Sequence, residues 1–442
     1  MSQTSNAQVL QIFKKVYGKL TDLVPQDFPL QRDIPWNEGM KVGDKFVEAI
    51  CLTAETGLTL SDSTDAFEIN PAIAGVVKQV EVTPYISVIP SIIPWGVISR
   101  SQGDAQAFFQ ATKHVVKNNL RSHSRFQEAL RWWGRSPDLL GYISYASQVY
   151  RGVSFTTGTG TLPDTRFGSI AFTNGINAAG KYILVAPGQF ASGLWIGMEG
   201  VKLHQVNSSG TVVASGKLVA VDTKYGVLKV DFTPIAASST TSHRLCYDGQ
   251  EGTGKDYYGI DYILRRSGTL FGVDNTQYTL WSGNHFPVGG FKLTLARIQE
   301  AIADAVNKGG LEGDLKLYVN PRTWATIATT EAGLRAYDDS YKPSDAENGF
   351  ESITFHSQNG KIMVVKHSMM KEGFAAALHL PSWDRSGSAE VGFKVPGMDQ
   401  DVVFPLQNQA GYGMRSYSDQ YIFCREPALN IMFSGINDEA AS

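Results

Sequence analysis

Cysteine, charge and long apolar runs are all scarce in this 442-residue chain. Cys51, Cys246 and Cys424 are few, odd in number and far apart. They form neither a disulfide framework nor a Cys-x-x-Cys metal knuckle, which points to a reducing cytoplasm. Charged residues make up 18% of the chain, against roughly 25% in an ordinary soluble domain. Apolar content stays at 43%, so the deficit falls on charge. Two kinds of protein fit that balance: one that covers part of its surface with other protein, and a β-rich domain with many glycine turns, of which there are 44 glycines to build. A net charge of -3 excludes holding nucleic acid by bulk positive charge.

The longest uncharged stretches, Val82–Ser99 and Tyr182–Met198, are broken by Pro84, Pro90, Pro94 and Pro187, so no membrane-spanning helix is expected. Met1-Ser-Gln-Thr-Ser-Asn6 has no basic start or apolar run, so no secretory signal is expected. The Asn207-Ser-Ser209 sequon then has no compartment in which to be glycosylated.

What is present is a changing periodicity. Val9, Ile12, Phe13, Val16, Leu20 and Leu23 form a helical stripe, and the prolines at 25, 29 and 35 make an extended arm of residues 24–44. Residues 45–52 and 74–89 read as two strands of a flap whose tip, Gly57 to Asn70, is polar. From Ala105 to Trp133 there is no proline or glycine, Asp104 is a candidate N-cap, and Gly134 and Pro137 end the run. At 1.5 Å per residue such a helix is about 45 Å long, a rod better suited to a scaffold than to a compact catalytic domain.

Strand alternation then takes over, with turns expected at Asn207–Gly210 and Lys224-Tyr-Gly226, and residues 190–250 read as a small antiparallel β-domain. Residues 257–263 read as a strand. Leu295, Ile298, Ile302, Ala305 and Val306 mark a helix behind Thr294, stopped by Gly309-Gly310. Lys316–Val319 is a strand, and Asn320-Pro321 opens another helix. The fold class is mixed α+β.

Motifs for chemistry are thin. Gly249-Gln-Glu-Gly-Thr-Gly254-Lys255-Asp256 approaches a phosphate-binding loop but puts aspartate where a magnesium-binding hydroxyl belongs. The eight histidines show no metal-ligand spacing, and no Gly-x-Ser-x-Gly elbow occurs. Each cysteine has apolar neighbours, which suggests inert burial. Asp338, Asp339, Asp345 and Glu347 form an acidic loop that matches neither a calcium loop nor a defined carboxylate pair. Lys113, Lys117, Arg121 and Arg125 recur every four residues along the long helix, a basic stripe that could face DNA phosphates or another subunit.

The order of parts, with certain residue patterns, resembles the major capsid protein of tailed double-stranded DNA bacteriophages of the Hong Kong 97 type. Thr294-Leu-Ala-Arg-Ile298 followed by Leu317-Tyr-Val-Asn320-Pro321-Arg-Thr-Trp324 is similar to that family's axial-domain helix, strand and turn. Asn359-Gly-Lys-Ile-Met-Val-Val365 resembles its next strand, and Gly413-Met-Arg415, Asp419-Gln-Tyr-Ile422 and Arg425-Glu-Pro-Ala-Leu429 its closing strands.

The resemblance implies an N-terminal arm at 1–44 and an extended β-hairpin loop at 45–93. It implies a peripheral domain at 94–189 with a spine helix at 104–133, and an inserted β-domain at 190–250. An axial domain at 251–380 and closing strands at 381–442, returning to the peripheral domain, complete it. It further implies a non-enzymatic structural subunit, without cofactor or metal, that assembles into hexamers and pentamers of an icosahedral head. Neighbouring capsomers, scaffolding, portal and cement proteins would be its partners, with weak contact to packaged DNA and none to membrane. It also implies assembly in the host cytoplasm and residence in the virion. No long helical pro-segment precedes the arm, so a separate scaffold is expected, or a sequence already matured. Two alternatives remain: an encapsulin-like compartment shell, and a cytoplasmic carbohydrate-active hydrolase with its cleft around Asp338–Glu347.

Overall fold

Uninterrupted helix-forming sequence makes the longest element of the computed structural model. The structure describes residues 28–37, 41–42, 45–95, 105–143, 149–156, 158–177, 179–237, 243–251, 255–335, 353–358, 360–393, 403–406 and 409–439. The stripe at 9–23, Asp104 and the acidic residues at 338–347 lie outside them. Among the described residues the α-helices are α1 (Pro29–Asp33), α2 (Ala105–Trp133), α3 (Ser192–Trp195), α4 (Ile260–Arg265), α5 (Leu295–Gly309) and α6 (Pro321–Arg335).

α2 ends at Gly134, whose N–H donates to Leu130 O at 2.7 Å. A Cβ there would stand 2.4 Å from Tyr257 O, so glycine is what lets the helix end meet the 257–259 loop. Contrary to the strand expected over 257–263, Ile260–Arg265 is helical. Its buried Ile260, Ile263 and Leu264 have a three-and-four spacing that a short apolar run does not distinguish from strand. α5 stops at Gly310, left-handed at φ 65°. α6 starts with Pro321 at its first position, and Asn320 Oδ1 accepts the Arg322 N–H at 3.0 Å.

Three larger sheets surround these helices. A four-stranded sheet joins Tyr85–Pro94, Gly411–Cys424, Trp383–Gly392 and Val403–Pro405, and α2 lies across it. The strand expected over 74–89 is in fact two, divided at Thr83-Pro84: Val77–Val82 stays in the flap and Tyr85–Pro94 pairs with the closing strand. Proline cannot donate to a ladder, and the chain changes sheets there.

The second sheet has nine antiparallel strands in the order 141–142, 244–247, 202–206, 212–222, 227–230, 182–184, 176–177, 168–173, 159–165. This corrects the separate β-domain at 190–250. Tyr182–Leu184 pairs directly with Val227–Val230, so strands from both sides of the expected boundary interleave in one sheet. The expected turns at 207–210 and 224–226 do connect its hairpins.

The third sheet has six strands, in the order 284–287, 431–434, 374–378, 315–319, 361–366, 353–356, with α5 and α6 packed against it. Ile431–Ser434 does not return to the peripheral domain with the other closing strands, as the resemblance implies. It lies instead between Asn284–Pro287 and Phe374–Leu378. Ile431, Met432 and Phe433 are all fully buried, as an interior strand covered on both faces requires.

Candidate assembly surface

The flap is rooted like a core element and ends like an interface. Lys45–Cys51 pairs antiparallel with Val77–Val82, from Phe46 opposite Val82 to Cys51 opposite Val77. Alternation puts Phe46, Val80 and Val82 into the core. The Phe46 ring lies 5.2 Å from that of Tyr421, and Arg425 Nε lies 2.6 Å from Glu48 Oε1.

Beyond Cys51 the hairpin holds itself together. Thr56 and Ile73 exchange backbone bonds of 2.9 Å, Asn70 N donates to Thr59 Oγ1 at 2.8 Å, and Asn70 Nδ2 donates to Leu58 O at 3.0 Å. Gly57 sits at φ +127°, with the place of a Cβ 2.9 Å from Pro71 O. From Thr53 to Ala74 only Gly57 and Thr59 are even partly buried.

That segment, polar by its sequence, also displays Leu58 at 77% exposure, Leu60 at 84%, Phe67, Ile69 and Ile73. Burying such a side chain contributes about 1.5–3 kcal/mol, so several in a row left in water mark a contact surface. Between Thr53 and Val77 stand Glu55, Asp62, Asp65 and Glu68 and no lysine or arginine.

The basic stripe is not a continuous surface. Lys117 is exposed, and the side chain of Lys113 lies outside the described residues. Arg121 and Arg125 are buried, and Arg125 Nη2 donates to Gly193 O at 2.7 Å and to Ile196 O. The stripe fails because α2 is covered on several sides. Asn119 Nδ2 reaches Ile89 O at 3.0 Å, His123 sits between Ser87 Oγ (2.6 Å) and Ser416 Oγ (2.8 Å), and the α3 segment closes over Arg125. Burial and the nearby Arg131 push His123 down to about 4, so it is neutral at pH 7.

The group that organises α2 is Glu128, fully buried. Its Oε1 accepts the Leu30 N–H at 2.8 Å and lies 3.1 Å from His367 Nε2, while Oε2 meets Arg131 Nη1 at 2.9 Å. Burial raises its pKa, but the His367 bond and the Arg131 charge outweigh that and hold the carboxyl below its usual value. A lone acid among Phe126, Leu130, Trp132 and Trp133 is the signal that the sequence offers for it.

Elsewhere the structure brings together what sequence spacing could not. His204, Asp248 and Glu251 place ligand atoms within 4.8 Å of one another, because strands 202–206 and 244–247 pair. His204 Nε2 lies 2.8 Å from Asp248 Oδ1, and Lys202 Nζ contacts the same oxygen at 3.1 Å. Those two bonds hold Asp248 below the usual carboxylate range. The set could hold a divalent ion, but the lysine already neutralises Asp248 and opposes a second cation there.

Near the phosphate-loop-like sequence, whose residues 252–254 are outside the described set, Asp256 accepts the Arg135 N–H and the Gln250 amide at 3.0 Å each. A buried carboxyl stands where a magnesium-binding hydroxyl belongs. Cys246 and Cys424 are buried and pushed up to about 12 by burial, whereas Cys51, expected to be buried, is exposed on the flap. Among the described residues no helix is long and apolar enough to cross a membrane.

No protein-family model matches the sequence, and no curated protein matches it. Solved structures do. A chain of the cyanophage A-1(L) capsid asymmetric unit aligns over 96% of both chains at 8% identity, with a TM-score of 0.53. Mycobacterium phage Adephagia aligns over 100% of both at 8% identity and 0.43. The holo-SrpI encapsulin complex from Synechococcus elongatus PCC 7942 aligns over 96% and 95% at 7% identity and 0.39. The assignment rests on the first of these: the chain has the mixed α+β fold of Hong Kong 97-type capsid proteins.

Proposed function

We propose that this protein is the structural subunit of an icosahedral phage head that assembles from hexamers and pentamers around double-stranded DNA. The observation that carries the reading is the flap: a hairpin rooted in the core whose tip leaves its apolar side chains exposed and, among the described residues, is hydrogen-bonded only within the hairpin. A monomer gains nothing from such an element, whereas a lattice buries it. The fold shared with a cyanophage capsid chain over nearly the whole length supports the same reading.

In this arrangement the six-stranded unit lies towards the centre of each ring and the flap reaches sideways over a neighbour. Scaffolding, portal and cement proteins are further partners. Contact with DNA is weak, since the net charge is -3 and the long helix turns two of its four stripe cations inward. Assembly takes place in the host cytoplasm and the protein resides in the virion.

Light scattering with negative-stain microscopy of the purified protein tests this. Megadalton shells are expected, or capsomers of six 48.2 kDa chains at about 290 kDa. Nuclease-protected double-stranded DNA inside the particles supports a phage head. Shells that hold protein and no DNA would replace that reading with an encapsulin-like compartment, and a monomer that hydrolyses a glycan would replace both.

A further inference from the structure

The root of the flap borders an open cleft of about 300 Å³ whose chemistry complements the tip. Tyr258 and Tyr262 stack at 4.5 Å, Phe271 meets Tyr258 edge-on at 5.3 Å, and Tyr85 completes the wall. Arg266 is exposed, lies 5.4 Å over the Tyr262 ring, and meets no carboxylate among the described residues. Arg135 lies 5.2 Å from the rings of both Tyr85 and Tyr258 but already faces Asp256 Oδ1 at 3.8 Å, which leaves Arg266 as the cation the cleft offers. The carboxylate on the rim, Glu81, is engaged by Lys45 at 2.6 Å. An aromatic cleft with one cationic edge, Arg266, therefore stands at one end of the flap, and an apolar tip with four acids and no cation stands at the other.

One chain cannot join the two. Val82 and Thr83, at the flap root, line the cleft. From Phe46, opposite Val82, to the Thr56–Ile73 bridge is ten residues of paired hairpin, about 33 Å at the usual rise, and the tip lies farther out. A tip can thus fill only another copy's cleft. That contact is head-to-tail and closes into a ring when the rotation between copies allows.

We propose that the flap tip of one copy docks in the tyrosine–arginine cleft of the next, with Phe67 filling the aromatic space and Glu68 pairing with Arg266. The inference rests on the shell-subunit reading and adds the receiving surface. Aromatic filling supplies the area, and the charge pair selects the register.

A charge-swap cycle on the full-length protein tests it, read as the lowest concentration at which particles form. Arg266→Glu and Glu68→Lys, each at an exposed site, should each raise that concentration about tenfold while leaving the circular dichroism of the subunit unchanged. The double variant should return to within about threefold of the wild type. A double variant no better than the worse single, or Arg266→Glu shells at the wild-type concentration, would overturn the cleft while the shell reading stands. Wild-type protein that never leaves the monomer would overturn both. Arg266→Ala, which removes the cation without adding repulsion, should fall between wild type and Arg266→Glu.

Discussion

The surroundings of Glu128 and the tip of the flap treat exposed chemistry in opposite ways. The Glu128 carboxylate finds its partners inside the chain: a backbone N–H from α1, a guanidinium one turn along α2 and an imidazole from the 367 loop. Trp132 and Trp133 pack beside it without exposure. At the tip, Leu58, Leu60 and Ile69 stand three-quarters or more in water, and the hydrogen bonds among the described residues stay within the hairpin. The first region is finished in a single chain. The second exposes apolar side chains that no described residue covers, and on the proposed assembly a neighbouring copy supplies the surface. Stability of the subunit and stability of the assembly should therefore be separable by mutation.

The largest separation is expected at the tip. Replacing Leu58, Leu60, Phe67 and Ile69 together with serine removes about 1.5–3 kcal/mol of burial for each side chain at every contact of the assembly. Chemical denaturation of the isolated subunit should shift by less than about 0.5 kcal/mol, because exposed substitutions seldom do more. Light scattering should show no particles. Shells at the wild-type concentration would mean that the tip is not the assembling surface.

Glu128→Gln should show the reverse. It leaves Arg131 buried beside a neutral amide, and breaking one partner of a buried ion pair typically costs about 3–5 kcal/mol. The pH dependence gives a second readout. Glu128 has a folded pKa below its ordinary 4.5, so its stabilisation is fully present above that value and is lost as pH falls through the folded pKa. Acid unfolding of the wild type should therefore carry a contribution from Glu128 below about pH 4.5 that the variant lacks. Variant and wild-type curves that run parallel through that range would remove Glu128 from the account.

How much of this contrast is legible in the sequence depends on distance along the chain. α2, the Asn320-Pro321 helix start and the 207–210 and 224–226 turns are set by neighbours a few residues away, and composition shows them. The first flap strand is visible for the same reason, but the end of the second at Val82 is not, because the residues after Pro84 pair with the distant closing strand. The nine-stranded sheet is not, because Tyr182–Leu184 finds its partner more than forty residues on. The basic stripe fails likewise. Spacing of four puts cations on one face of a helix, but whether that face meets water depends on α3 and on Tyr85–Pro94, which come from elsewhere. The tip reads as polar from its serines and aspartates. Its apolar residues gain meaning only once the hairpin is seen to leave the core.

The smallest expected effect costs the protein no stability and tests both regions at once. Cys51 is exposed at the flap root, whereas Cys246 and Cys424 are buried with thiols pushed up to about 12. A thiol reagent at pH 8 should modify Cys51 quickly and reach the other two only through unfolding, since thiolate is scarce and access is closed. In Glu128→Gln the slow phase should accelerate on the order of a hundredfold, the factor that about 3 kcal/mol of lost stability implies. In the serine variant of the tip it should not move. Assembly should slow the fast phase alone, as a neighbour covers the flap root, and leave the slow phase no faster than before. If all three thiols react together in the folded subunit, the core around Cys246 and Cys424 opens far more readily than its packing implies. If Cys51 labels at one rate in monomer and particle, the flap root stays uncovered after assembly, and the contact must lie farther out along the hairpin.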